Sequence, residues 1–258
     1  MKQIRAQSTS EHRSFIPWLR RLIVLLLPLF LGFSWITWVI GPAYPRYEYA
    51  TPDFPPDGGT PLLTMETRLG LALVAVSFLE SWRPAEEALP ILAEQQMPFT
   101  GEPLYSQREL SHLHDVKQIT DAIRILALTT AVPVLTGLLF LLRRPHTRRL
   151  GYLALGQGGL LTVMFLSGLA GLILFGWGFF FYQFHGLLFS SGSWAFAATD
   201  SLMRLYPEQF FFDVAVMMSV GAWLLGFGLM LIGYFLAWRC AQTEKQKRLV
   251  TYVAKTVQ

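Results

Sequence analysis

The chain has 258 residues, of which 53% are hydrophobic, 14% aromatic and 15% charged, with a formal net charge of +4. This balance excludes a disordered chain and an ordinary water-soluble domain. The apolar residues gather into runs long enough to cross a hydrocarbon core of about 30 Å, which takes roughly 20 helical residues. The single cysteine, Cys240, excludes an intrachain disulfide.

The first run, 19–40, reads as a retained span. Its apolar stretch is longer than a signal-peptide core, and no small-x-small cleavage site follows in GPAYP. The stretch 41–118 is too long for a simple connection and too apolar for disorder, so it should fold. It opens with GPAYPRYEYATPDFPPDGGTP, whose close-set Pro and Gly exclude a helix and favour an extended, turn-rich path. Residues 62–82 then read as a helix lying in the membrane interface. A crossing there would move the acid-rich SWRPAEEALPILAEQ to the other side of the membrane and upset the charge asymmetry.

Ser106 and Glu109 have the S-x-x-E spacing of a capping box, opening a helix that runs into the second span, 119–142, with a kink expected at Pro133. The third span, 150–181, is longer than one crossing requires and is expected to continue as helix toward His185. Residues 182–213 form a second outer segment, and the fourth span is 214–238. There are no internal repeats.

Basic residues concentrate in three segments. These are the N-terminus (Lys2, Arg5, Arg13, Arg20, Arg21), the loop of Arg143, Arg144, Arg148 and Arg149, and the tail (Arg239, Lys245, Lys247, Arg248, Lys255). The segments 41–118 and 182–213 hold most of the acids. The positive-inside rule then puts both termini in the cytoplasm and both outer segments beyond the inner, cytoplasmic membrane. The basic balance is therefore topology, with anionic membrane phospholipid as its natural partner and no nucleic acid. The expected fold class is an all-α membrane protein, one integral domain over 1–258, with four transmembrane helices and an interfacial helix in the extracytoplasmic segment between the first two spans.

Two histidines, His112 and His185, fall on the outward side. The second and third spans are antiparallel and joined by a short loop, so their inner ends are level. Counting at about 1.5 Å per residue brings the two imidazoles to similar heights if both helices continue, and helices about 8–10 Å apart would let them converge. Ionisable groups at the membrane are functional candidates by default. Asp115 shares a helix face with His112 and is placed to orient it. Lys117 and Asp121 read as a solvated charge ladder, and Arg124 as a partner for a lipid phosphate or a buried carboxylate.

His114 faces elsewhere and no HExxH or CxxC spacing occurs, so neither a metal nor a cofactor is expected. His12 and His146 read as solvated cytoplasmic residues. A lone histidine is more often structural than catalytic. A pair of neutral histidines, however, can take a proton near neutral pH and return it later, which acyl transfer to an amine requires.

The strings ELSHLHDVK and FHGLLFSSGSWAF, followed by DSLMRLYPEQFF, resemble the lipoprotein intramolecular transacylase (Lit) family over most of the chain. The resemblance implies an enzyme acting on the diacylated N-terminus of a lipoprotein. It would move the sn-2 acyl chain of the diacylglyceryl-cysteine to that cysteine's α-amine and leave the lyso-form. It also implies that the family's two essential histidines correspond to His112 and His185.

Arg124, Arg204 and donors near Trp194 are candidates to assist the oxyanion. The aromatic residues from Trp177 to Phe184 suit either acyl chains or an interfacial belt. The rival readings are a non-enzymatic membrane binding or assembly protein and a membrane lipid-ester hydrolase. A transporter is disfavoured, since no discontinuous helix carries polar residues at mid-membrane.

Overall fold

A computed structural model of the chain describes residues 2–60, 62–190 and 192–256, with residues 2–14 described by their backbone alone. Among the described residues there are ten helices and no strand. They are α1 (Lys2–Val39), α2 (Ala43–Glu48), α3 (Met65–Glu80), α4 (Ala85–Ala88), α5 (Pro90–Ala93), α6 (Gln107–Arg143), α7 (Arg148–Phe175), α8 (Trp177–Leu188), α9 (Ser201–Leu205) and α10 (Glu208–Thr256). Four are long and apolar enough to cross a membrane: Phe15–Val39 of α1, α6, α7 and α10. Only 17–28% of their most apolar windows is buried within the protein, so most of that surface faces lipid. This explains the exposure of Leu25, Leu128, Val132, Phe165, Leu224 and Phe235. The chain is an all-α, multi-pass membrane protein.

It packs as two compact units. The first takes the described residues within Met1–Gly32, Leu126–Ser167 and Gly221–Gln258. Its core of Leu19, Ile23, Leu27, Val134, Leu141 and Ala154 lies between helices that touch through glycines. A Cβ on Gly159 would come within 2.5 Å of the Met230 nitrogen, and one on Gly233 within 2.3 Å of the Gly156 nitrogen, so α7 and α10 meet backbone to backbone. Small residues are the usual means of such contact between helices in lipid. His146 is exposed here, and His12 lies outside the described side chains.

The second unit comprises Phe33–Ile125 and Gly168–Val220 and holds both candidate histidines. Its core is built from Val39, Tyr44, Phe54, Ala75, Phe78, Leu92, Leu113, Leu205 and Phe210. Phe78, fully buried, contributes roughly 1.5–3 kcal/mol to it. Three tyrosines tie its segments by donating to backbone carbonyls: Tyr44 to Phe210 O (2.9 Å), Tyr206 to Ala72 O (2.7 Å) and Tyr49 to Leu205 O.

Several local expectations meet a different outcome here. The Pro-rich opening does contain a helix, α2. Pro45 falls in its first turn, where the missing N–H would have no intrahelical partner in any case. Arg68, near the start of α3, packs into the core of the second unit. It is 1% exposed, lies over the rings of Tyr49 and Phe54, and donates to Arg204 O and Pro55 O.

Lys117 and Asp121 are no solvated ladder either. Lys117 is fully buried and reaches both Asp121 oxygens at 2.6 Å and Ser81 O at 2.7 Å, while Arg124 joins the same aspartate at 3.0 Å and the same carbonyl at 3.2 Å. Ser81 is the C-cap of α3. The two cations therefore meet the negative end of that helix and leave its last carbonyl satisfied. α6 itself continues through Pro133 without ending.

Candidate active site

The expected capping box starts α6. Ser106 N donates to Glu109 Oε2 at 2.8 Å and Glu109 N donates back to Ser106 Oγ at 3.3 Å. The other carboxylate oxygen, Oε1, accepts from Leu202 N at 2.7 Å, so one glutamate both opens α6 and holds the first turn of α9. His112 follows one turn into α6. It is 7% exposed, and its ring lies 4.7 Å from the Phe189 ring and 5.3 Å from Phe196. Its Nδ1 is buried and has no hydrogen-bond partner. Buried polar atoms are nearly always paired, so an orphan of this kind points to strain, catalysis or a missing ligand.

His185 reaches the same place by a route the sequence does not announce. The helix expected to carry on from the third span stops at Phe175. Gly176 takes φ −142° and ψ 39°, and α8 begins anew at Trp177. Near the end of α8, His185 Nδ1 lies 2.8 Å from Phe181 O. A carbonyl only accepts, so Nδ1 carries the proton and the Nε2 lone pair is left free. The imidazole is half-buried between Phe181 (3.9 Å) and Trp194 (4.9 Å). Burial lowers its pKa below the ordinary 6.5, with the Phe181 carbonyl opposing that shift.

The chain then turns extended at Phe189, whose ring lies 5.6 Å from His185 as well as against His112. The two imidazoles therefore share one phenyl ring and can be no further apart than those two ring distances combined. They are close enough for the charge of one to act on the other.

The loop that follows is pinned by Arg108. Its guanidinium donates to Gly192 O at 3.3 Å and to Ala195 O, and stacks over Phe196 at 4.8 Å. That loop presents Trp194, whose indole Nε1–H is buried without a partner. Sequence reasoning missed Arg108. An arginine in a helix's first turn carries no spacing signal when its partners lie more than 80 residues ahead.

Two supporting candidates are committed elsewhere. Arg204 is paired through two nitrogens with Asp57, at 2.7 and 2.9 Å, and Arg124 belongs to the Asp121 cluster. Asp115 does not orient His112. Its carboxylate lies 3.5 Å from His114 Nδ1, whose Nε2 lies 3.2 Å from Glu86, so both acids bracket the histidine that faces away. Among the described residues no three His, Cys, Asp or Glu side chains converge as a metal set. The aromatic run is split. Phe181 packs on His185, while Phe179 and Tyr182 are exposed.

Residues 86–211 match the family model described as lipoprotein intramolecular transacylase Lit. Among solved structures the chain is similar to the in meso structure of the membrane integral lipoprotein intramolecular transacylase Lit from Bacillus cereus. The identity is 21%, over 89% of this chain and 99% of that one, with a TM-score of 0.54. A histidine-to-arginine variant of the same protein matches at 21% identity over 93% and 99%, with a TM-score of 0.52. These likenesses show a shared fold. An uncharacterized protein of Aquifex aeolicus (strain VF5) is 25% identical over 188 residues, 73% of this chain and 80% of its own length.

Proposed function

We propose, from the match of residues 86–211 to the lipoprotein intramolecular transacylase family model, that this chain belongs to that family and moves the sn-2 acyl chain of a diacylglyceryl-cysteine to the α-amine of the same cysteine. The observation that carries the site is the convergence of two imidazoles on Phe189, one with a free Nε2 and the other with an orphaned Nδ1. The site lies on the extracytoplasmic face of the cell membrane with both termini in the cytoplasm, as the basic segments favour. The substrate is a diacylated lipoprotein N-terminus presented from surrounding phospholipid.

Nucleophile and ester belong to one molecule, so proximity supplies much of the rate. The amine nitrogen attacks the ester carbonyl carbon and its proton passes to His185 Nε2. The tetrahedral intermediate collapses with cleavage of the bond to the glycerol oxygen, and His185 returns the proton to that oxygen. One C–N bond forms, one C–O bond breaks, and no proton is lost or gained. The oxyanion accepts hydrogen bonds from a neutral His112 N–H and from the Trp194 indole N–H, donors held without a protein partner to satisfy them.

Mass decides between transfer and hydrolysis. N-terminal peptides of a lipoprotein exposed to the enzyme should keep their total mass while one acyl group relocates from glycerol to nitrogen. Loss of one acyl mass would establish a hydrolase instead.

Trp194→Phe keeps a ring against His185 and removes the donor. Its kcat should fall ~10²-fold or more with KM little changed, and an unaltered kcat would remove the indole from the mechanism.

The pH profile follows from the same groups. The α-amine, with a pKa of about 7.7–8.0, must be neutral to attack, so log(kcat/KM) should fall with a slope of one below about pH 8. His185 must also be neutral, and its lowered pKa means the slope should steepen to two only below the ordinary histidine value of 6.5. Steepening at or above 6.5 would contradict the assignment of His185 as base.

A further inference from the structure

An apolar cavity of about 180 Å³ opens beside His112 within the second unit. Ala75, Val76 and Leu79 of α3, Val116 of α6 and Met218 of α10 contribute hydrocarbon to its wall. Two tyrosines also line it, yet neither offers a hydroxyl. Tyr44 Oη is spent on Phe210 O and Tyr206 Oη on Ala72 O. The one lining side chain with an uncommitted polar atom is His112, through Nδ1. A water needs two to four polar partners to be held, and a cavity offering one is suited to hydrocarbon. Ligand sites commonly combine such apolar walls with a few polar groups that fix orientation.

We infer that this cavity receives the tail of the acyl chain that migrates, with its ester carbonyl held at His112, and that it sets which chain lengths are moved. The inference rests on the transacylase reading above and adds the chain-binding subsite to it. The carbonyl under attack must lie at the imidazole, and the chain attached to that carbonyl enters the apolar cavity that opens there. The acyl chain that stays on glycerol has no carbonyl at the imidazole and lies outside the cavity, in lipid.

The test uses the full-length enzyme in detergent or bilayer with synthetic diacylglyceryl-cysteine peptides whose sn-1 and sn-2 chains are varied separately between hexanoyl and palmitoyl. Ala75→Phe fills the cavity and should shift the kcat/KM ratio of palmitoyl to hexanoyl, at the migrating position, toward hexanoyl by at least about tenfold, the worth of two methylenes withdrawn from an apolar site. Leu79→Ala enlarges the cavity and should move that ratio the other way. Should the buried Ala75 tolerate no larger side chain, Leu79→Ala decides the matter alone.

An unchanged ratio in active variants, or a shift that follows the stationary chain, overturns the subsite and leaves the transacylase reading intact. Failure of the unsubstituted enzyme to move any acyl chain from glycerol to nitrogen overturns the transacylase reading itself.

Discussion

Replacing His185 by Ala should lower the rate of acyl transfer ~10²–10⁴-fold, the usual contribution of a positioned general base. The free Nε2 of this residue is the group that would receive the amine proton, and the rings packed on it, Phe181, Phe184, Phe189 and Trp194, are not bases at neutral pH. Residual activity should remain, because the tethered amine and ester still meet in one molecule. His112→Ala should cost ~10²–10³-fold through loss of an oxyanion donor.

Stability separates a catalytic histidine from a bracing one. His112 Nδ1 makes no hydrogen bond within the protein, so His112→Gln should lose transfer with little change in thermal midpoint. Full conversion of lipoprotein to the lyso-form by both Ala variants would sink the catalytic assignment of the two histidines. Mass spectrometry of the lipoprotein N-terminal peptide, with a melting curve for each variant, reads both outcomes.

What the sequence made legible was what its local chemistry controls. The four long helices follow from run length and the start of α6 from Ser106 and Glu109, whereas the helix count for His112 and His185 assumes a continuous third helix, which breaks at Gly176. The rest depends on partners far along the chain. Lys117 looks like half of an exposed i, i+4 pair until Ser81, 36 residues earlier, is found to accept from it in the core.

Arg108 and Glu109 are neighbours in a capping turn, yet they fix segments 87 and 93 residues ahead. The break at Gly176 was hidden because apolar residues flank it on both sides, so the hydrophobic run carries no sign that the helix ends and restarts. Asp115 shares a face with His112 by spacing but turns to its neighbour His114, a choice between two rings that spacing cannot make. The candidate residues are thus named by the sequence, and their arrangement is supplied by contacts of the folded second unit.

Asp57→Ala should lower the stability of the second unit by ~3–5 kcal/mol, the cost of removing one member of a buried ion pair. The side chains of Asp57 and Arg204 are 2% and 4% exposed, with Nη2 and Oδ2 2.7 Å apart. The surrounding backbone is built around this pair. Asp57 also accepts from Gly59 N and Leu63 N, and a Cβ on Gly59 would fall within 2.0 Å of the Arg204 guanidinium.

The Arg204 guanidinium holds the Asp57 carboxyl down at a pKa of about 2. A depressed pKa means the stabilisation is complete above the unfolded carboxyl value of about 3.9 and is lost as pH falls toward 2, which by linkage is worth roughly 2–3 kcal/mol. The Ala variant should cost more, because a protonated carboxyl still accepts hydrogen bonds and a methyl group does not.

The damage should reach the histidines. Arg204 lies in α9, its carbonyl holds Arg68, and the first turn of α9 is bonded to Glu109, three residues before His112. A lowered midpoint in Asp57→Ala, partly restored when Arg204→Met is added to remove the guanidinium that had faced the carboxylate, is the expected result. An unchanged melting curve in the single variant would show that the pair holds nothing together.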